Sequence, residues 1–191
     1  MDIMKAIMAG LISGVIIGIV AGIIIFVLNA ISFVSGLPGL VCPVIGCITC
    51  LVNWGVNIIV FAVAAIMSLV AGLYAAKRIS GVAAPSDMFF GGAVGGLVAG
   101  VVVAIVETIV QAVNPVLSLG ISFILGLLGM AQKNPNIGAL LADALKNIVT
   151  NLGWVLVSAG VFFLFGIILG LLGGIGGSLI FKASGKSKAL D

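Results

Sequence analysis

The 191-residue sequence contains no histidine. That removes the commonest general base near neutral pH and the commonest metal ligand. Charge is also scarce. Only 7% of residues are Asp, Glu, Lys or Arg, where an ordinary soluble domain carries about a quarter. A soluble fold made from this composition could not cover itself with polar surface. Five carboxylates serve the whole chain: Asp2, Asp87, Glu107, Asp143 and Asp191. With so small an inventory no catalytic constellation forms, so neither an enzyme nor a cofactor is expected. The net charge of +3 is small and the basic residues are scattered, which argues against a nucleic-acid surface.

What the sequence has in abundance is apolar length. A helix rises about 1.5 Å per residue, so about 20 apolar residues cross the hydrocarbon core of a bilayer. Four stretches qualify, at residues 7–29, 54–76, 88–113 and 154–181. The apolar run of the first is longer than a signal peptide's and no convincing cleavage site follows it, so it is read as a span. The expected fold is an all-α membrane protein: a single domain over residues 1–191, four transmembrane helices, and the lipid bilayer as its first partner. Lys5, Lys77, Arg78, Lys182, Lys186 and Lys188 flank one side of these spans and only Lys133 and Lys146 the other. The positive-inside rule then predicts a multi-pass protein of the cell membrane with both termini in the cytoplasm. Trp54 and Trp154 open the two even-numbered spans and Tyr74 closes one, as interfacial aromatics do.

Between the third and fourth spans, residues 116–130 are apolar but short, and 132–136 read QKNPN, a turn. Residues 137–151 alternate Ile137, Leu140, Leu141, Leu145 and Ile148 with Asp143, Lys146, Asn147 and Thr150 on the opposite face of a helix. This predicts an outer-side re-entrant or amphipathic helical hairpin over about 116–151. A fifth span at 116–130 is the rival, and it would place the last three lysines outside.

Glycine recurs every four residues. Gly10, Gly14, Gly18 and Gly22 do so in the first span, Gly92, Gly96 and Gly100 in the third, and Gly166, Gly170 and Gly174 in the fourth. Ala64, Ser68, Gly72 and Ala76 follow the same step in the second. That spacing gathers small residues on one helix face, where backbones approach closely in lipid. Glycine-zipper packing is the expectation, either within one bundle or in self-association with other copies or other membrane subunits. The two halves, 1–80 and 85–185, share this layout and suggest an internal repeat.

Two chemical leads remain. Glu107 is the one carboxylate well inside a span, and Gln111 and Asn114 follow it on the same face. A carboxylate in lipid must be protonated, paired or facing water. It reads either as a proton or cation pathway, with Asn29 or Asn57 as further neighbours, or as a structural hydrogen bond between helices. Cys42, Cys47 and Cys50 stand in a predicted outer loop, VCPVIGCITC. The motif lacks the fourth ligand of a closed cluster or zinc site, so one disulfide with a free thiol, or three unpaired thiols, are the readings. Gly185, Lys186 and Ser187 end like a phosphate loop, but Ile180 stands where the motif needs glycine.

The stretch AGLYAAKRISGVAAPSDMFFGGAVGGLVAGVVV, residues 71–103, resembles the central hairpin of small four-helix prokaryotic membrane families of unknown function. That resemblance implies a four-helix membrane protein, archaeal or bacterial. The glycines and single buried Glu are also similar to duplicated rotor proteolipids, although Glu107 opens a hairpin where theirs closes one, and their cytoplasmic loop motif is missing. The readings from sequence are thus a non-enzymatic helix-packing subunit and, as the alternative, a small channel or proton- or cation-coupled carrier using Glu107.

Overall fold

Runs rich in Val and Ile would favour strands in water. In lipid every backbone N–H and C=O must be satisfied within its own segment, and the helix is the way a single segment does this. The computed structural model accordingly places four helices. It describes residues 3–36, 43–80, 84–127 and 137–187. The helices are α1 (Ile3–Gly36), α2 (Pro43–Ile79), α3 (Pro85–Leu127) and α4 (Ile137–Ser187). Each holds a stretch long and apolar enough to cross a membrane: Ile3–Ser35, Cys50–Ile79, Pro85–Ile121 and Leu156–Phe181.

Helix ends follow from local chemistry. α2 and α3 both open on proline, whose missing N–H is one of the unsatisfied donors of a first turn in any case. The Asp87 carboxylate reaches back to accept the Ala84 N–H at 3.3 Å, a partial capping box at the positive end of the helix. α2 closes on Lys77 and Arg78, cations beside its free carbonyls. Arg78 lies 5.8 Å from the Tyr74 ring, and the Ser80 hydroxyl donates to the Lys77 carbonyl at 2.9 Å.

α1 packs beside α2 and α3, α4 packs beside the same two, and α2 also touches α3. α1 and α4 therefore occupy opposite corners. Ala6, Ala9, Ala76, Ile79 and Met88 form one buried cluster. This gathers the start of α1, the end of α2 and the start of α3 at one end of the bundle, here the near end. A methyl built on Gly177 would meet the Ala76 side chain at 2.5 Å, so the C-terminal part of α4 lies there too. At the opposite, far end the Ser32 hydroxyl donates to the Asn53 side chain, joining α1 to α2. The core between holds Ala21, Ile25, Val60, Ala64, Val103 and Phe162, with Phe61 stacked on Phe162 at 4.9 Å.

The glycine faces are occupied within the chain. Cβ atoms built on Gly10 and Gly14 would each lie 2.6 Å from a carbonyl oxygen of α3, those of Gly91 and Gly95. Gly18 and Gly22 meet Val102 and Val106. The other face of α3 meets α4: Gly92 faces Gly174, Gly96 faces Gly166 and Gly170, and Gly100 faces the Phe162 carbonyl. Gly72 of α2 abuts Gly170. Of the two expectations for these ridges, packing within one bundle or association with other copies, the contacts made here are those of the first: each ridge faces backbone or valine side chains of its own chain.

Three further expectations change. Helix α3 does not end near Val113 but runs through Pro115 to Leu127. Proline removes one hydrogen bond and crowds the preceding turn, yet leaving the helix would free several backbone groups at once. α4 likewise joins residues 137–151 to the fourth span without a break, so both arms of the expected hairpin are continuous with spans. The turn at 132–136 lies outside the described residues. Finally, Cys47 and Cys50 sit on the first turns of α2 rather than in a loop, because the helix begins at Pro43. Cys42 lies outside the described residues.

Candidate functional site

Apolar spans carry few polar atoms, so where such atoms converge is informative. They converge at Glu107, which is 6% exposed on α3. One turn later Gln111 returns on the same face and its Nε2 donates to the Glu107 Oε1 at 2.9 Å. From α1 the Asn29 Nδ2 donates to Oε2 at 3.2 Å. That same nitrogen also donates to the Ile25 carbonyl at 3.0 Å. Each carboxyl oxygen thus accepts one amide N–H, and the two donors come from different helices.

The site continues along α1. Ser32, three residues beyond Asn29, is buried, and its hydroxyl meets the exposed Asn53 of α2. Ser35 donates to the Ser32 carbonyl at 2.8 Å. Asn29, Ser32 and Asn53 make a polar track from the carboxyl to the far end. On the other side of Glu107 stands apolar packing: Ile25, Ala21 and Val103 are each no more than 1% exposed.

Of the residues singled out from sequence, Glu107, Gln111 and Asn29 come together. Asn114 is half-buried two turns beyond Glu107 and is not among the hydrogen-bond partners of its carboxyl. Asn57 is exposed and does not join the cluster. Ser32 and Asn53 were missed. Their signal was a polar residue three positions after Asn29, and another immediately before Trp54, in otherwise apolar runs. Cys50 is an exposed free thiol. Among the described residues no three of Cys, Asp and Glu gather as metal ligands would.

Two grooves open on the bundle sides. One, about 260 Å³, lies between α2 and α4 beside Phe61, Ser68, Gly100, Phe162 and Phe165. The other, about 310 Å³, lies between α1 and α3 beside Gly22, Phe26 and Val106. Neither is lined by Glu107, Asn29 or Gln111.

Comparisons with protein-family models, curated proteins and solved structures give no match. Fold and site define a class only: an all-helical chain, among the described residues, with four helices long and apolar enough to span a membrane.

Proposed function

We propose that this is a non-enzymatic, multi-pass protein of the cell membrane in which Glu107 is a binding site for a proton or small cation, serving a small carrier or channel. The observation that carries the reading is the buried Glu107 carboxyl held by Asn29 and Gln111 from two helices. A carboxyl in a span is expensive and is by default a candidate for an ion pathway. Its depth fits. Trp54 and Tyr74 are both exposed and 20 residues apart, about 30 Å along a helix and one hydrocarbon thickness. Glu107 then lies within about two turns of the Trp54 belt.

The basic flanks support a cytoplasmic near end with both termini inside. Close backbone approach at Gly14, Gly96 and Gly170 supports glycine-zipper packing as the adhesive of a single bundle. The extensions of α3 and α4 past the far interface suit a hairpin at the outer leaflet. A second reading, a helix-packing subunit, is favoured by those same extensions. Val116, Leu117, Ile124 and Val149 are exposed and apolar there, a surface that other membrane subunits or copies could cover.

The test is flux through proteoliposomes. Wild type should dissipate an imposed proton or monovalent-cation gradient, and Glu107→Gln should not, since it keeps shape and removes the ionisable group. If wild type and variant are equally inert, the subunit reading replaces this one.

A further inference from the structure

We infer that the ion taken up by Glu107 is the proton and that it arrives from the far face alone. The inference rests on the reading of Glu107 as an ion site and adds the ion's identity and its route.

Identity follows from the donor set. Small hard cations gather about six oxygen ligands, whereas here Asn29 presents N–H and only the Gln111 carbonyl could turn to join the two carboxyl oxygens. Asn29 cannot turn over, because the nitrogen that meets Oε2 also donates to the Ile25 carbonyl, and a flipped amide would point its oxygen at two acceptors. Oε2 is therefore held as an acceptor. Among the described residues the Gln111 amide makes only its bond to Oε1, so it is free to rotate. A proton delivered by water forms an O–H bond on Oε1, and Gln111 turns its carbonyl to accept that hydrogen. One protonation and one amide flip complete the step, with no other bond made or broken in the protein.

The route follows from where polar side chains stand. Toward the far end the polar track of Asn29, Ser32 and Asn53 reaches an exposed side chain. Toward the near end Ile25, Ala21, Val103, Val60 and Phe162 close the bundle. No ionisable residue competes at this level: α1 over 25–32, α2 over 52–62 and α4 over 151–160 contain none. In this conformation the site exchanges with the far face only, and the transfer to the near face that flux requires needs a second conformation in which this apolar packing parts.

Two measurements on the full chain in proteoliposomes test this. The first is the infrared carboxyl C=O band, read as the difference between wild type and Glu107→Gln. The expected result is a band that appears as pH falls and is lost in the variant, indifferent to exchange of Na⁺ for K⁺ or their omission. A band that responds to Na⁺ or K⁺ overturns the proton assignment while leaving Glu107 as an ion site. A band that responds to neither pH nor cation removes the ion-site reading itself. The second is labelling by a membrane-impermeant thiol reagent, with Cys42, Cys47 and Cys50 replaced by Ser. Ser32→Cys and Asn53→Cys should react from the far face only, and Ile25→Cys and Ala21→Cys from neither. Reaction at 25 or 21, reaction of 32 from the near face, or silence at both 32 and 53 overturns the one-sided route.

Discussion

Asn29 and Glu107, 78 residues apart in the chain, meet through a 3.2 Å hydrogen bond that ties the far part of α1 to α3. The bond is anchored, since the Asn29 nitrogen is also held by the Ile25 carbonyl one turn back. It places the single mid-span carboxyl between two helices rather than against lipid.

The coupling between these two residues is measurable. Asn29→Leu strands a buried oxygen of Glu107, which should destabilise the bundle by about 1–3 kcal/mol. Glu107→Leu strands one N–H of Asn29, the other staying on the Ile25 carbonyl, and the Gln111 amide, and should cost a similar amount. The double variant removes both partners, so its loss should be smaller than the sum by about 0.5–2 kcal/mol. Equilibrium unfolding in mixed micelles reads all three. Strict additivity would show that the two side chains do not interact.

How much of this was legible beforehand varies by residue. Four spans were visible because lipid imposes one simple rule, a long apolar run in helical form. Glu107 and Gln111 were legible as a pair because four-residue spacing puts them on one face. The partner on α1 was not determined by any such spacing: Asn29 and Asn57 were equal candidates until the packing of α1 on α3 chose Asn29. Glycine spacing showed which face of each helix is small, but not what it meets, since a ridge looks the same whether it faces its own chain or another copy. Pro115 misled for a different reason. In a soluble chain it marks a boundary, whereas here α3 continues through it.

Substitutions at glycine should divide by what their new methyl meets. On Gly96 it would run into the Gly166 carbonyl oxygen and lie 2.6 Å from the Gly170 Cα. Both are backbone, so no side chain can swing aside, and Gly96→Ala should cost about 1–3 kcal/mol as overpacking. On Gly22 the obstacle is Val106 Cγ2 at 2.9 Å, a side-chain tip, and the cost should be smaller. Gly160 has nothing within 4 Å. Alanine there should be tolerated or stabilising by roughly 0.5–1 kcal/mol, because glycine inside a helix carries an entropic cost. Thermal unfolding of the three variants in one detergent checks the order, and equal melting temperatures would contradict the packing.

Ser13 offers a test of opposite sign. Its side chain is fully buried and its hydroxyl oxygen has no hydrogen-bond partner. An unsatisfied buried hydroxyl is a liability on the order of 1 kcal/mol or more. Ser13→Ala should therefore hold or raise the melting temperature, in contrast to most changes on this crowded face. A clear drop would mean that the hydroxyl is hydrogen-bonded in the membrane, for instance through an ordered water.

Orientation can be decided with thiols. Cys50 is exposed and free one turn before Trp54, at the far end, whereas Ser80 follows the last turn of α2 at the near end. The basic residues gather at that near end, and positive charge is retained on the cytoplasmic side. With Cys42 and Cys47 replaced by Ser, an impermeant maleimide added to intact cells should label Cys50. In a chain without native cysteines, Ser80→Cys should react only after the membrane is opened. Both positions are four-span landmarks, so they must switch together. If Ser80→Cys reacts in intact cells while Cys50 is protected, the protein is inverted, and Glu107 then draws its proton from the cytoplasm through the same Asn29–Ser32–Asn53 track. If both react from outside, α2 does not cross the membrane and the four-span arrangement fails.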